Sequence, residues 1–336
     1  MAKTFPYLEV SGTHKDVGRA IGKMWGDKIQ QSICWRRENI PDYPQHLKNV
    51  EKYVNATEDD FPKLIEEAES IAAAAGVPFL DYFFMNNPEE YSVDEEWVKK
   101  NVPIIEHCTI AVSFNDKDVV VGHNEDWAPD AIDSLYILRA TIGRTTHLGL
   151  QYGTVLPGCS AAMNSWGLVQ CINDLYQNTQ VGVPKYFLAR AILECKTLDE
   201  AEGLIHKTKR ASGFNHVLIQ DHEARNVEIA NNTVAVEKVI EGSYVHTNHY
   251  LSPEMETLEK FHTKSSEARL QRARQLAKPA MTKEEMVTLL SDKQNSEFPI
   301  CRPDATIGSL VFIPGKSEVW ICYGHPCAGE YIKYTL

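Results

Sequence analysis

The stretch Cys108-Thr-Ile-Ala-Val-Ser-Phe114, Asn115-Asp-Lys-Asp118, Val119-Val-Val-Gly-His-Asn-Glu-Asp-Trp127 decides how this chain is read. Two runs rich in β-branched residues flank four turn-forming polar residues, the pattern of a β-hairpin. With Asp116 and Lys117 at the centre, Asn115 pairs with Asp118. Carrying that register outward sets Cys108 opposite Glu125, and a two- or four-residue loop centred there gives the same result. A thiol and the acidic segment Asn124-Glu-Asp126 are thereby brought side by side.

Upstream of this hairpin the chain reads as mainly helical. His14 to Arg37 and Phe61 to Ala75 carry apolar residues at helical spacing, and Gly76-Val-Pro78 ends the second run. A short helix is expected over Phe79 to Met85, followed by a polar, acidic surface linker from Glu89 to Lys100. Downstream, strands are expected at Leu135 to Thr141, His147 to Tyr152, Ser160 to Met163 and Leu168 to Ile172. Helices follow over Pro184 to Lys207, with a hairpin formed by His216 to Gln220 and Val227 to Ala230. A helical block spans Pro253 to Ser291, and strands Ser309 to Ile313, Glu318 to Cys322 and Tyr331 to Thr335 close the chain. Strand hairpins alternating with helical blocks indicate sheets covered by helices, not an all-β sandwich.

The 336 residues are 43% hydrophobic and 24% charged, ordinary globular values that exclude disordered and fibrous classes. A net charge of -12 repels phosphate backbones and anionic lipid, so neither nucleic acid nor membrane is an expected partner. With no signal-like leader and no long apolar run, a soluble, cytoplasmic protein is expected. The eight cysteines are scattered without a C-x-x-C pair, which gives no support to zinc ribbons or thioredoxin-like redox motifs.

The segment Cys108-Thr109 with Gly122-His-Asn-Glu-Asp-Trp127 resembles the nucleophile region of the acyl-CoA:6-aminopenicillanate (isopenicillin N) acyltransferase family. These are N-terminal nucleophile cysteine hydrolases related to the choloylglycine hydrolases. Gly18 to Gly22, Glu66 to Gly76, Met163-Asn-Ser-Trp-Gly-Leu168, Val183-Pro184 with Leu188 to Leu193, Tyr244-Val-His-Thr-Asn-His249 and Gly324-His-Pro-Cys327 extend the resemblance in order along the chain. It implies an α+β, four-layer αββα N-terminal nucleophile hydrolase fold, made as a precursor that cuts itself at His107–Cys108. Residues 1–107 would form an α-chain and residues 108–336 a β-chain, which stay associated as one unit.

In that scheme Cys108 is the nucleophile and its freed α-amine, with an ordinary pKa of about 7.7–8.0, is the base. Asp126 would hold the α-ammonium or orient the thiol, and Asn248 would donate to the oxyanion. Arg302 and Asn164 are candidates for substrate binding, with Trp127, Trp166 and Tyr244 as a candidate apolar acyl pocket. Two departures stand out: His107 occupies the position where well-known relatives have glycine, and His123 stands where choloylglycine hydrolases place arginine.

The resemblance implies cleavage of a linear amide C–N bond in a small N-acyl amine or N-acyl amino acid through an S-acyl-Cys108 intermediate. No cofactor or metal is expected. Acyl transfer from a thioester or amide donor to an amine is the alternative, and an unprocessed, non-catalytic relative is another. A metal hydrolase is the enzymatic rival, with His246 and His249 at i, i+3 and His107, Cys108, His123 and Asp126 as further ligands. Whether the chain forms a homo-oligomer stays open.

Overall fold

A computed structural model describes residues 3–86, 88–91, 108–116 and 118–336. Most of the expected linker, and His107, lie outside the described residues.

After strand β1 (Tyr7–Gly12), helix α1 (His14–Asn39) starts from a capping box. Thr13 Oγ1 accepts from the Asp16 N–H, and the Asp16 carboxylate accepts from the Thr13 N–H at 2.9 Å. Helices α2 (Tyr43–Asp60), α3 (Pro62–Ala75) and α4 (Phe79–Met85) follow, with α3 stopped by Gly76 in the left-handed conformation. Gly18 and Gly22 let α1 lie directly on α3. A β-carbon at either would come within 2.3 or 2.4 Å of the Glu67 or Ile71 carbonyl oxygen.

The strands β2 (Thr109–Phe114), β3 (Val119–Asp126), β4 (Leu135–Ile142), β5 (Thr145–Tyr152), β6 (Ala161–Asn164) and β7 (Val169–Asn173) come next. Helices α5 (Lys185–Ile192) and α6 (Leu198–Lys207) lead to β8 (Asn215–Gln220), β9 (Glu223–Ala230), β10 (Thr233–Val239) and β11 (Ser243–His246). Helices α7 (Lys264–Leu276) and α8 (Lys283–Leu290) precede β12 (Thr306–Ile313), β13 (Glu318–Tyr323) and β14 (Tyr331–Thr335). An eight-stranded sheet runs β1-β4-β5-β6-β7-β8-β9-β10 and a six-stranded sheet runs β11-β2-β3-β12-β13-β14.

Strand alternation builds the layers. Ile110, Val112, Val121 and Leu310 of the smaller sheet meet Leu148, Leu150 and Val217 of the larger one between the sheets. Their neighbours Ala111, Val120 and Val311 face outward onto Leu270, Met286 and Leu290 of α7 and α8. Tyr136, Leu138 and Ala140 bury the other outer face under α1 to α4. The result is the four-layer αββα arrangement that the resemblance implies. The β2–β3 register follows the sequence reading, with Thr109 opposite Asn124 and Ile110 opposite His123. No helix among the described residues is long and apolar enough to cross a membrane.

A buried ion cluster locks the outer helices together. Arg190 on α5 donates to both carboxylate oxygens of Glu67 on α3 at 2.9 and 2.8 Å, while His14 Nδ1 sits 2.7 Å from Glu67 and Nε2 3.5 Å from Glu194. Burial alone would depress the His14 pKa, but hydrogen bonds to Glu194 and Glu67 outweigh it and raise the value to about 9. A folded pKa above the ordinary 6.5 means the stabilisation is complete below pH 6.5 and is lost as pH rises through 9. The gap in melting temperature between wild type and His14→Gln is therefore expected to be largest near pH 6 and to shrink toward pH 9.5. A gap that stays constant over that range contradicts the assignment.

Candidate active site

Cys108 sits immediately before β2, buried, with φ at 45°. A left-handed backbone at a residue with a β-carbon costs roughly 1–2 kcal/mol, so surrounding contacts have to hold it. Two of them grip its carbonyl oxygen: Asn173 Nδ2 at 3.1 Å from the end of β7, and Arg269 Nη1 at 2.9 Å from α7. Burial pushes the thiol well above its ordinary pKa. The Glu125 and Asp126 carboxylates add to that rise, against the Asp126 N–H and the Arg269 guanidinium.

Asp126 ends β3 beside it. Its Oδ1 accepts from Thr306 Oγ1 at 2.6 Å, and Oδ2 lies 3.8 Å from Arg302 Nη1. Among the described residues no hydrogen-bond donor reaches Oδ2. Burial raises the Asp126 pKa, with Arg269 and Arg302 pulling it back.

Asn248 follows β11. Its Oδ1 accepts from Arg269 Nη2 at 3.0 Å, which fixes the amide orientation, and Nδ2 donates to the Asp174 carbonyl at 3.2 Å. One N–H of that amide is left to serve an oxyanion. Arg269 thus bridges three points, since Nη1 also donates to Thr109 Oγ1 at 2.9 Å.

The structure brings Cys108, Asp126, Asn248 and Arg302 into one neighbourhood, and Trp127 packs on the apolar layer between the sheets. Asn164 is a correction. It closes the β6–β7 turn, donating to the Leu193 and Cys195 carbonyls and accepting from the Trp166 and Leu168 N–H groups. That turn lies at the opposite end of the hairpin from Asn173, so Asn164 does not line this site. Trp166, 36% exposed on the same turn, leaves the expected acyl pocket with it.

The residues missed from sequence are Arg269, Asn173 and Glu228, and His246, read there only as a candidate metal ligand, joins them. Asn173 Oδ1 meets His246 Nδ1 at 2.9 Å, and His246 Nε2 meets Glu228 Oε1 at 3.1 Å, a buried chain behind the Cys108 carbonyl. With both ring nitrogens engaged, His246 does not pair with His249, whose Nδ1 lies 2.7 Å from Ser266 Oγ. The two-histidine pair of the rival metal reading therefore does not assemble.

His123 and Glu125 point to the inter-sheet side of β3. Glu125 is met by His123 Nε2 at 3.0 Å, by Tyr152 OH at 2.7 Å and by Ser160 Oγ. One donor atom from each of Cys108, His123 and Glu125 falls within 4.8 Å of the others. Because Glu125 already accepts from two hydroxyls, this group reads as a hydrogen-bonded cluster before it reads as a metal cradle.

Comparison with solved structures gives distant likenesses. A Caenorhabditis elegans N-acylethanolamine-hydrolyzing acid amidase ortholog aligns at 17% identity and TM-score 0.47, covering 62% of this chain and 93% of its own. A conjugated bile acid hydrolase from Clostridium perfringens aligns at 11% identity and TM-score 0.46, covering 68% and 97%. Penicillin V acylase from Agrobacterium tumefaciens aligns at 12% identity and TM-score 0.47, covering 68% and 86%. Curated protein sequences give no significant match. The profile of acyl-coenzyme A:6-aminopenicillanic acid acyl-transferase matches residues 113–328, from β2 to the loop before β14. With the match spanning well over half its length, the chain belongs to the acyl-coenzyme A:6-aminopenicillanic acid acyl-transferase family.

Proposed function

We propose that the chain cuts itself at His107–Cys108 into residues 1–107 and 108–336 and then acts as an N-terminal cysteine amidohydrolase. Its substrate is a small N-acyl amine or N-acyl amino acid. The observation that carries this reading is the Asp126 carboxylate oxygen, buried beside Cys108 and lacking a donor among the described residues. A freed Cys108 α-ammonium supplies that donor.

The buried thiol needs a base because its own environment holds it protonated. The neutral α-amine takes the thiol proton as sulfur attacks the amide carbonyl, and returns it to the departing amine. Water then cleaves the thioester and releases the carboxylic acid. Asn248 donates to the tetrahedral oxyanion, and Arg302 and Trp127 bind the substrate's polar and apolar ends. When an amine reaches the thioester before water, the same intermediate gives acyl transfer.

A second reading keeps the chain whole. His123, backed by Glu125, serves as base to Cys108 in place of the α-amine; the closeness of the three donor atoms favours it.

A pulse of p-nitrophenyl acetate, quenched in acid and mapped by peptide mass, tests the nucleophile. An acetyl group on the peptide that begins at Cys108 is expected. Labelling confined to the exposed Cys34 overturns the assignment. Asn248→Ala is expected to lower kcat by about 10²–10³-fold, or about 2.7–4 kcal/mol in barrier, with KM changed only a few-fold. An unchanged kcat removes Asn248 from the oxyanion site.

A further inference from the structure

We propose that Cys301, His325 and Cys327 hold a zinc ion that ties the segment ahead of β12 to the loop between β13 and β14. One donor atom from each of the three side chains lies within 4.8 Å of the other two. Cys327 Sγ is 3.3 Å from His325 Nδ1. A tetrahedral zinc with bonds of about 2.3 Å to sulfur and about 2.0–2.1 Å to nitrogen sets S–S edges near ~3.8 Å and S–N edges near ~3.5 Å. The three donors therefore need only small side-chain adjustments to share one ion.

The donor chemistry suits that ion. Two thiolates and one imidazole form a borderline-soft set with no carboxylate, which selects zinc over magnesium or calcium. Binding displaces both thiol protons to solvent, and the two thiolate charges balance the dication, so the buried Cys301 sulfur carries no uncompensated charge. His325 and Cys327 are half-buried, leaving the fourth position open to water.

The backbone around each ligand is already held. Cys301 N–H donates to the Asp292 carbonyl at 2.9 Å, and the Ile300 carbonyl accepts from Asn124 Nδ2 at 3.1 Å. Across the gap, Gly324 N–H donates to the Ile307 carbonyl at 3.2 Å, and the Ala328 and Gly329 N–H groups turn back onto the His325 carbonyl. Ligands preset on two anchored segments lower the ordering cost of binding.

The ion also bears on the candidate active site. Arg302, next to Cys301, donates its N–H to Thr306 Oγ1 at 2.9 Å, and Thr306 in turn holds Asp126. Zinc at Cys301 fixes the start of the segment that positions Asp126. The inference stands whether or not Cys108 is the nucleophile.

The test uses the full-length protein, reduced and then equilibrated with zinc chloride. Elemental analysis is expected to give one zinc per chain, and cobalt in its place is expected to show a thiolate charge-transfer band. Cys301→Ser, Cys327→Ser and His325→Ala are each expected to lose that metal, with circular dichroism confirming a folded chain. Cys108→Ala keeps it. No metal uptake by the reduced wild type overturns the proposal, as does metal retained in Cys301→Ser but lost in Cys108→Ala. A disulfide involving Cys327 that persists through reduction, with no metal bound, also overturns it. Because His325 is half-buried, His325→Ala keeps the test decisive where a buried-cysteine variant fails to fold.

Discussion

Replacing Cys108 with alanine is expected to abolish amide turnover by at least about 10⁴-fold while leaving the fold intact. The side chain is small and its loss removes no helix or strand hydrogen bond; the carbonyl gripped by Asn173 and Arg269 remains. What disappears is the buried sulfur whose charge both the Glu125 and the Asp126 carboxylates oppose. Cys108→Ser separates the two parts of the chemistry. A hydroxyl, far less acidic than a thiol, leaves an α-amine in place once the chain is cut but makes a poor nucleophile for the acyl step. Turnover of Cys108→Ser is expected between wild type and Cys108→Ala. Steady-state rates on an N-acyl amine series read all three. Full activity in Cys108→Ala would place the nucleophile elsewhere.

The second large effect is expected at Arg269. Its guanidinium is fully buried and joins Cys108, Thr109 and Asn248, while opposing the buried Asp126 charge. Arg269→Met removes the cation, leaves the Cys108 carbonyl short of one donor and takes from Asn248 Oδ1 the donor it has among the described residues. Breaking a buried charge arrangement in this way typically costs about 3–5 kcal/mol of stability. Arg269→Lys keeps the charge, but a single ammonium cannot reproduce the planar fork that reaches three acceptors at once. Asn248 then loses the contact that fixes its amide, and kcat is expected to fall about 10²-fold with a much smaller loss of stability. Denaturant midpoints and kcat together separate the two variants. Arg269→Lys with wild-type kcat and stability would show that the fork does not position Asn248.

The hairpin was legible in the sequence because its information is local. A polar turn between two β-branched runs sets the register, and Cys108 falls beside the acidic segment with no knowledge of the rest of the chain. The helices α1, α3 and α4 were legible for the same reason, from apolar spacing and the Gly76-Val-Pro78 stop. β1 escaped because it is largely exposed and pairs in parallel with β4, more than a hundred residues away. α2 escaped because its buried stripe is Tyr43, His46, Val50, Tyr53 and Thr57, helical in spacing but mostly polar or aromatic in kind.

The site was read in part for a related reason. Cys108 and Asp126 share the hairpin, whereas Asn248 and Arg302 were named only through the family resemblance. Arg269 lies in a strongly charged helix that reads as solvated. Yet it shares a face with Ser266, Leu270 and Ala273, the buried stripe of α7. A charged residue on an apolar stripe was the available signal. Asn173 had none, because only the pairing of β7 within the larger sheet carries it to the Cys108 carbonyl.

The most direct test is the chain ends of the purified wild-type protein, read by intact mass and N-terminal sequencing. The account predicts two fragments, one ending at His107 and one beginning at Cys108, that stay together through gel filtration. A single uncut chain that nonetheless turns over amides contradicts it, because no α-amine exists at Cys108 to act as base.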